Sequence, residues 1–356
     1  MSKPFVSVLI DTYNHERFIE EAITSVLEQN FCPSDFEILV VDDGSTDRTP
    51  ELVRKFGPRV RHLCKENGGQ ASAFNLGIPQ CSGEIVAFLD GDDWWARDKL
   101  SRVISAFASD PAVGFVGHGI TEVLQDGSKR SELVRETHHV HLDTVSGART
   151  FRLRKSFLGT SRMAIRADVL RRIGQIPTEL VIQADECLFT LAILFSGALI
   201  LREPLTFYRL HSGNLFQVGS GNATALRRKR EVLNTLASIL NARLQKENVP
   251  ADVSKIIVES VQAEADLIRL SLDSCWPWDT VRIEINSFRI MCENAPVRYW
   301  LAKSLSLIPA LFLPSRNYIA VKNYVVANRL YRKTRERVLP TLRPNHVDRQ
   351  GFWGRS

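Results

Sequence analysis

EIVAFLDGDD, residues 84–93, decides the fold of this 356-residue chain. Ile85, Val86, Ala87, Phe88 and Leu89 run without a polar break and end on Asp90-Gly91-Asp92-Asp93. An unbroken apolar run of this length reads as a strand buried on both faces. A polar cluster at its carboxyl end is where a parallel sheet presents side chains to a ligand. Two earlier runs repeat the pattern. Residues 6–10 lead into Asp11-Thr12-Tyr13-Asn14, and residues 36–41 into Asp42-Asp43-Gly44-Ser45. Residues 59–64 read as a further strand.

Helical stretches lie between these strands. Residues 16–29 carry Phe18, Ile19, Ala22, Ile23, Val26 and Leu27 on one stripe, with Asn14 as the expected N-cap. Residues 46–56 and 70–78 read as two more helices, with Ser45 and Asp47 as caps of the first. The alternation predicts an α/β domain, a mostly parallel sheet sandwiched by helices. Further on, residues 124–141 are polar and read as a mobile loop or hairpin. Residues 157–165 read as a strand, 167–173 as a short helix ending at Gly174, and 185–195 as another helix. Residues 199–201 and 206–209 read as closing strands. From about residue 223 the pattern is helical throughout: 226–246, 253–272 and 278–292. The expected organisation is an α/β catalytic domain over 1–220 and a helical region over 221–356.

Apolar residues make up 44% and charged residues 24%, as in an ordinary globular protein. The net charge of +6 is unevenly spread. Residues 297–356 hold twelve Lys and Arg against Glu336 and Asp348, whereas the rest hold 34 against 38. An anionic partner is therefore expected for the tail alone. The apolar run at the N-terminus is too short for a secretory core and ends at Asp11, so a cytoplasmic protein is expected. The cysteines, Cys32, Cys64, Cys81, Cys187, Cys275 and Cys292, show no CxxC pairing and no spacing shared with histidines. That argues for buried free thiols and against a zinc site or a disulfide framework. His138, His139 and His141 read as part of a surface loop.

Seven segments in order resemble the family 2 glycosyltransferases, which have the GT-A fold. They are VSVLIDTYN (6–14), SVLEQ (25–29), ILVVDDGSTD (38–47), ENGGQASAFNLGI (66–78), FLDGDDWW (88–95), ADECL (184–188) and YRLHSGN (208–214). Together they span about residues 4–220. The resemblance implies metal-dependent, inverting transfer of a sugar from a nucleotide-diphosphate donor, a UDP-sugar by expectation, to a hydroxyl acceptor. Polysaccharide or glycoconjugate synthesis is the expected setting.

The chemistry of the residues agrees with this. A diphosphate is repelled by carboxylates unless a hard divalent cation stands between them, and Mg²⁺ or Mn²⁺ prefers oxygen ligands. The resemblance implies Asp92 as metal ligand, Asp90 as a contact to ribose or metal, and His211 as a completing ligand of the metal or diphosphate. Gly91 would let the backbone approach the ligand. Asp42 or Asp43 is the candidate reader of the nucleobase, since a carboxylate accepts from an imide N–H such as that of uracil. Tyr13 is expected to stack on the base, Thr12 to offer backbone contacts, and Asn14 to belong to the same donor site. Gly69, in Asn67-Gly68-Gly69-Gln70, opens a helix whose N–H groups suit a phosphate or ribose. Asn75 matches the family's Arg-Asn pair, but Phe74 stands where the arginine is usual. In Ala184-Asp185-Glu186, Asp185 aligns with the family's catalytic base and Glu186 is its rival.

Other classes fit less well. A haloacid-dehalogenase-type phosphohydrolase wants a second acid after Asp11-Thr12, and none follows. No GxGxxG follows Ile10, as a dinucleotide oxidoreductase requires. A non-catalytic sugar-nucleotide binder would lack the base, and Asp185 and Glu186 are both present. In the last third, Arg316, Lys322, Arg329, Arg332, Lys333, Arg335 and Arg337 interleave with Tyr299, Trp300, Tyr318, Tyr324 and Tyr331. Two readings stand. The segment lies on an anionic membrane surface near a lipid-linked sugar acceptor, peripheral on the inner face of the cell membrane. Or it packs on the catalytic domain or a second subunit. No nucleic-acid fold signature accompanies the charge, so nucleic acid is not an expected partner.

Overall fold

A computed structural model describes residues 5–131, 136–211, 222–291 and 297–327. They fall into two compact units, one within 1–214 and one within 215–356. The first unit opens with β1 (Val6–Thr12), α1 (Ile19–Leu27), β2 (Phe36–Asp42), α2 (Thr49–Arg54), β3 (Arg61–Cys64), α3 (Gln70–Gly77) and β4 (Ile85–Asp90). It continues with β5 (Trp94–Trp95), α4 (Lys99–Ser109), β6 (Phe115–Val123), β7 (Lys129–Ser131), β8 (His138–Val140) and α5 (Val145–Arg154). It closes with β9 (Ala164–Arg166), α6 (Ala167–Ile173), α7 (Ala184–Ser196) and β10 (Ala198–Arg209).

These strands form one mixed sheet in the order β3-β2-β1-β4-β9-β6-β10-β5, with β7 on β6 and β8 on β10. The long strands pair in parallel: β1 with β2 and β4, β2 with β3, and β6 with β10. Short antiparallel pieces fill in around them. The apolar runs of β1, β2 and β4 are buried on both faces. Ile19, Ala22, Ile23 and Val26, the inner stripe of α1, pack on one face of the sheet with Leu100, Val103 and Phe107 of α4.

Register places the functional ends together. Asp11 stands opposite Asp90, and Thr12 opposite Asp42, which in turn stands opposite Cys64. Parallel strands in step finish at one rim, so three polar clusters far apart in sequence become neighbours.

Some local expectations are corrected. Residues 157–165 do not form one strand: two 3₁₀ turns, Lys155–Phe157 and Thr160–Arg162, precede the short β9. Ser161 is the reason, because its carbonyl accepts from Lys99, Trp95 and Thr206 and its hydroxyl faces Asp90, which bends the segment around these donors. Within 124–141, residues up to Ser131 form a hairpin, β7 on β6, and His138 and His139 lie in β8, paired to β10, rather than in a loop. Asn14 does not cap α1, which begins at Ile19. Its Oδ1 accepts from the N–H groups of Thr46 and Asp47 instead. Ser45 accepts from the Asn14 N–H rather than capping α2, while Asp47 does accept from the Thr49 N–H. Cys187 and Cys275 are buried, but Cys32 and Cys64 are exposed; Cys292 lies outside the described residues.

The second unit is helical: α8 (Ala223–Lys246), α9 (Ala251–Leu272), α10 (Pro277–Met291), α11 (Val297–Ser306) and α12 (Ser315–Ala327). Leu267, Leu270, Cys275, Ile283, Leu307, Tyr318 and Ile319 form a core of its own. The basic residues from Arg329 onward, and Ser212, Gly213 and Asn214 of the last motif, lie outside the described residues. No helix among the described residues is long and apolar enough to cross a membrane.

Candidate active site

The rim built by β1 and β4 gathers acids. Asp11 and Asp90 face each other across the register, and Asp92 and Asp93 follow on the turn after β4. Ligand oxygens of Asp90, Asp92 and Asp93 lie within 4.8 Å of one another. Asp185 enters from the first turn of α7, and its charge reaches both Asp11 and Asp90. His15 feels the charges of Asp92 and Asp42, which ties the β2 end of the rim to the β4 end.

Electrostatics follow from crowding. Burial, then the charges of Asp11, Asp92, Asp93 and Asp185, pushes the Asp90 carboxyl well above its ordinary range. Asp11 is pushed up likewise by burial and by Asp92, Asp185 and Asp43. Burial and Asp92 push Asp93 up to about 8. Asp92 is the exception. Burial works to raise it, but the His211 hydrogen bond and the charges of His15 and His211 outweigh burial and hold it below the ordinary carboxylate value. His211 Nε2 stands 2.9 Å from Asp92 Oδ2, and His15 Nε2 3.8 Å from the same oxygen.

The donor set fits a hard divalent cation. Oxygens dominate, and Asp11 Oδ1 and Asp93 Oδ2 are buried with no hydrogen-bond partner among the described residues. Like charges that raise one another are what a cation of charge two would relieve. Arg209 holds the turn in shape. Its backbone N–H donates to Asp93, its guanidinium to the Asp92 carbonyl and to Glu21, and it lies between the rings of Phe18 and Trp94 at 4.7 and 4.4 Å. Sequence reasoning missed Arg209, His15 and Asp11. Arg209 and Asp11 sit inside quoted motifs, so the signal was present without a role attached.

The acidic pair on α7 is resolved by partners. Glu186 is buried in an ion pair with Lys155 at 2.9 Å. Asp185 accepts only weak bonds from the Thr160 N–H and hydroxyl, at 3.3 and 3.4 Å, and a 2.8 Å bond from the Glu186 N–H. Burial raises its carboxyl above the ordinary value, with these bonds and Arg162 opposing.

At the other end, Asp42 and Asp43 differ. Both oxygens of Asp43 are taken by the Lys65 ammonium and the N–H groups of Gly68 and Gly69. Asp42 uses Oδ1 for the Ser45 N–H at 2.8 Å, and its Oδ2 is buried without a hydrogen-bond partner among the described residues. Burial presses Asp42 upward, but the nearby His62 ring and Ser45 hold it below the ordinary value. Tyr13 is exposed at the rim, whereas Thr12 is buried with its carbonyl bonded to the Asp43 N–H.

Three residues expected at the donor site have protein partners. The start of α3 is not an open anion nest: Gly68 and Gly69 donate to Asp43, Gln70 to the Val181 carbonyl and Ala71 to that of Leu180. Asn75 is pinned at both ends of its amide by the Ile176 backbone, at 2.7 and 2.8 Å. Gly91 is needed because a Cβ there would stand 2.5 Å from the Thr12 hydroxyl and 2.8 Å from His15.

Residues 7–174 match the family model described as glycosyl transferase family 2. Similar proteins include an uncharacterised glycosyltransferase of Nostoc, 33% identical over 220 residues, covering 59% of this chain and 66% of the relative. Glycosyltransferase AglE of Haloferax volcanii is 32% identical over 187 residues, 51% of this chain and 59% of the relative. The chain thus spans about three-fifths to two-thirds of the length of these two. Among solved structures, residues 1–349 of S. aureus TarS superpose with a TM-score of 0.55 at 18% identity, over 91% of this chain and 92% of that one. The same TarS segment in complex with UDP-GlcNAc gives 0.51 at 20% identity, over 85% and 88%. The fold is shared with TarS, and through residues 7–174 the chain belongs to glycosyl transferase family 2.

Proposed function

We propose that the chain is a metal-dependent, inverting glycosyltransferase that moves a sugar from a nucleotide-diphosphate donor, a UDP-sugar, to a hydroxyl acceptor. One observation carries this: Asp90, whose ligand oxygen lies within 4.8 Å of those of Asp92 and Asp93, also feels the charges of Asp11 and of the distant Asp185. Asp92, Asp90 and His211 would hold Mg²⁺ or Mn²⁺, which when bound neutralises charge on the departing diphosphate. Asp42 offers its remaining oxygen to the imide N–H of the base, and Tyr13 its exposed ring to the base plane. Asp185 is the base. It takes the proton of the acceptor hydroxyl as that oxygen bonds to the anomeric carbon and the bond to the diphosphate breaks on the opposite face. Glu186 does not take this part, because Lys155 holds it. The uridine assignment is supported by Asp42 and by the fold shared with a UDP-GlcNAc-bound protein. The family match sets aside the phosphohydrolase alternative.

The test is a screen of nucleotide sugars for Mn²⁺-dependent transfer or slow hydrolysis. Asp92→Ala should abolish metal-dependent UDP binding. Asp185→Asn should lower kcat by about 10²–10⁴-fold with little change in donor KM, the scale of a lost general base. A Asp185→Asn protein of normal kcat would overturn the assignment.

The helical unit supports a place at a membrane surface, with a lipid-linked sugar as acceptor. Trp276, Trp278 and Phe312 are 79%, 76% and 78% exposed, in a unit that also carries the exposed Arg282 and Arg289. Exposed aromatics and cations in one helical unit suit an anionic interface. Flotation of the full chain with vesicles rich in anionic lipid should carry the protein up, and Trp276→Ser with Trp278→Ser should leave it at the bottom. Flotation unaffected by these changes would remove the idea.

A further inference from the structure

We propose that Asp42, His62 and Cys64 form a binding site for zinc, separate from the acidic cluster, and that zinc there excludes the nucleobase. Backbone geometry sets the three together. His62 and Cys64 alternate on β3, so both side chains leave the same face of this edge strand. Asp42 is the register partner of Cys64 and therefore shares that face. His62 Nε2 lies 3.2 Å from Cys64 Sγ and 3.8 Å from Asp42 Oδ2. A tetrahedral zinc with thiolate, imidazole and carboxylate ligands sets these pairs about 3.6 and 3.4 Å apart, so only small side-chain shifts separate the structure from a loaded site.

Independent observations point the same way. Asp42 Oδ2 is buried and without a hydrogen-bond partner among the described residues, an acceptor left over inside the trio. Cys64 is exposed, which supplies an entry path. Sulfur, nitrogen and oxygen together select a borderline cation, whereas the all-oxygen set of Asp90, Asp92 and Asp93 selects a hard one. Three protein ligands leave a fourth position for water. On binding, the sulfur–zinc bond forms as the Cys64 thiol proton passes to solvent. Asp42 has a single oxygen to give, so it serves either zinc or the imide N–H. This second half rests on the nucleobase role proposed above.

The test uses Co²⁺ as a spectroscopic stand-in on the full chain, with excess Mg²⁺ present to fill the acidic cluster. The expected result is a near-ultraviolet sulfur-to-cobalt band that saturates at one ion per chain and is displaced by Zn²⁺. Cys64→Ser and His62→Phe should weaken it more than ~100-fold, since loss of a direct ligand exceeds the usual cost of a supporting residue. Cys32→Ser and Asp92→Ala should leave it in place. UDP should suppress it in wild type. A missing band, or one that survives Cys64→Ser, overturns the site. A normal band that UDP leaves unchanged overturns the exclusion. UDP binding to the zinc-free chain, measured alongside, shows separately whether the donor reading fails.

Discussion

Asp185 and Glu186 are adjacent, both acidic and both in the first turn of one helix, yet their surroundings divide them. The side chains leave α7 about 100° apart, so one meets Lys155 and the other the Thr160 turn. A carboxylate held by a buried ammonium is a poor proton acceptor, whereas one raised by burial is a better one. Glu186→Gln should therefore cost ~3 kcal/mol of stability, because it breaks the buried ion pair with the Lys155 ammonium. Urea denaturation checks the loss, and kcat per folded molecule should change little. The same logic separates Asp42 from Asp43, a pair equally ambiguous in sequence. The acidic motifs were legible because residue types and order carry them. Which acid of each pair is engaged was not, because the deciding partners, Lys155 and Lys65, lie 31 and 22 residues away.

Among the elements, α3 shows how a familiar helix start can be put to another use. Gly69 has φ +82°, and a Cβ there would stand 2.5 Å from the Val181 Cα. Gly69→Ala should destabilise by about 1–3 kcal/mol, the cost of a left-handed residue combined with a backbone clash, read as a lowered urea midpoint. The glycines thus serve closure of the chain on Asp43 and on 180–181. Elements with long apolar runs, β1, β2 and β4, were legible within a residue or two. Elements such as β9 and the turns before it were not, since the carbonyl of Ser161 is placed by donors from α4, β5 and β10. In the helical unit, one carboxylate joins three helices. Glu284 of α10 is buried against Lys303 of α11 and Lys322 of α12. Burial works to raise Glu284, but the two ammonium groups outweigh it and hold the carboxyl below its ordinary value. Its contribution is therefore fully present above the ordinary carboxylate range and disappears as pH falls through the lowered value. Urea midpoints followed by circular dichroism should fall between pH 5 and 3, and less steeply in Glu284→Gln.

For the molecule as a whole, the acidic rim is a cost of the folded state that a bound cation would remove. Mn²⁺ at a hundredfold excess over its Kd should stabilise the folded chain by about 2.7 kcal/mol. A thermal scan should show the rise in Tm, EDTA should reverse it, and Asp92→Ala should abolish it. No rise in wild type would mean that the rim does not take the ion.

The amino-acid sequence by itself determined the strand–helix alternation, the polar strand ends and the family, because these depend on periodicity and on residue types at short spacing. Only the tertiary structure decided which acids share a rim, which are spent on lysines and backbone N–H groups, and that His62 and Cys64 meet Asp42. The reason is that strand register and long-range packing, not sequence distance, set the few ångströms over which charges and ligands act.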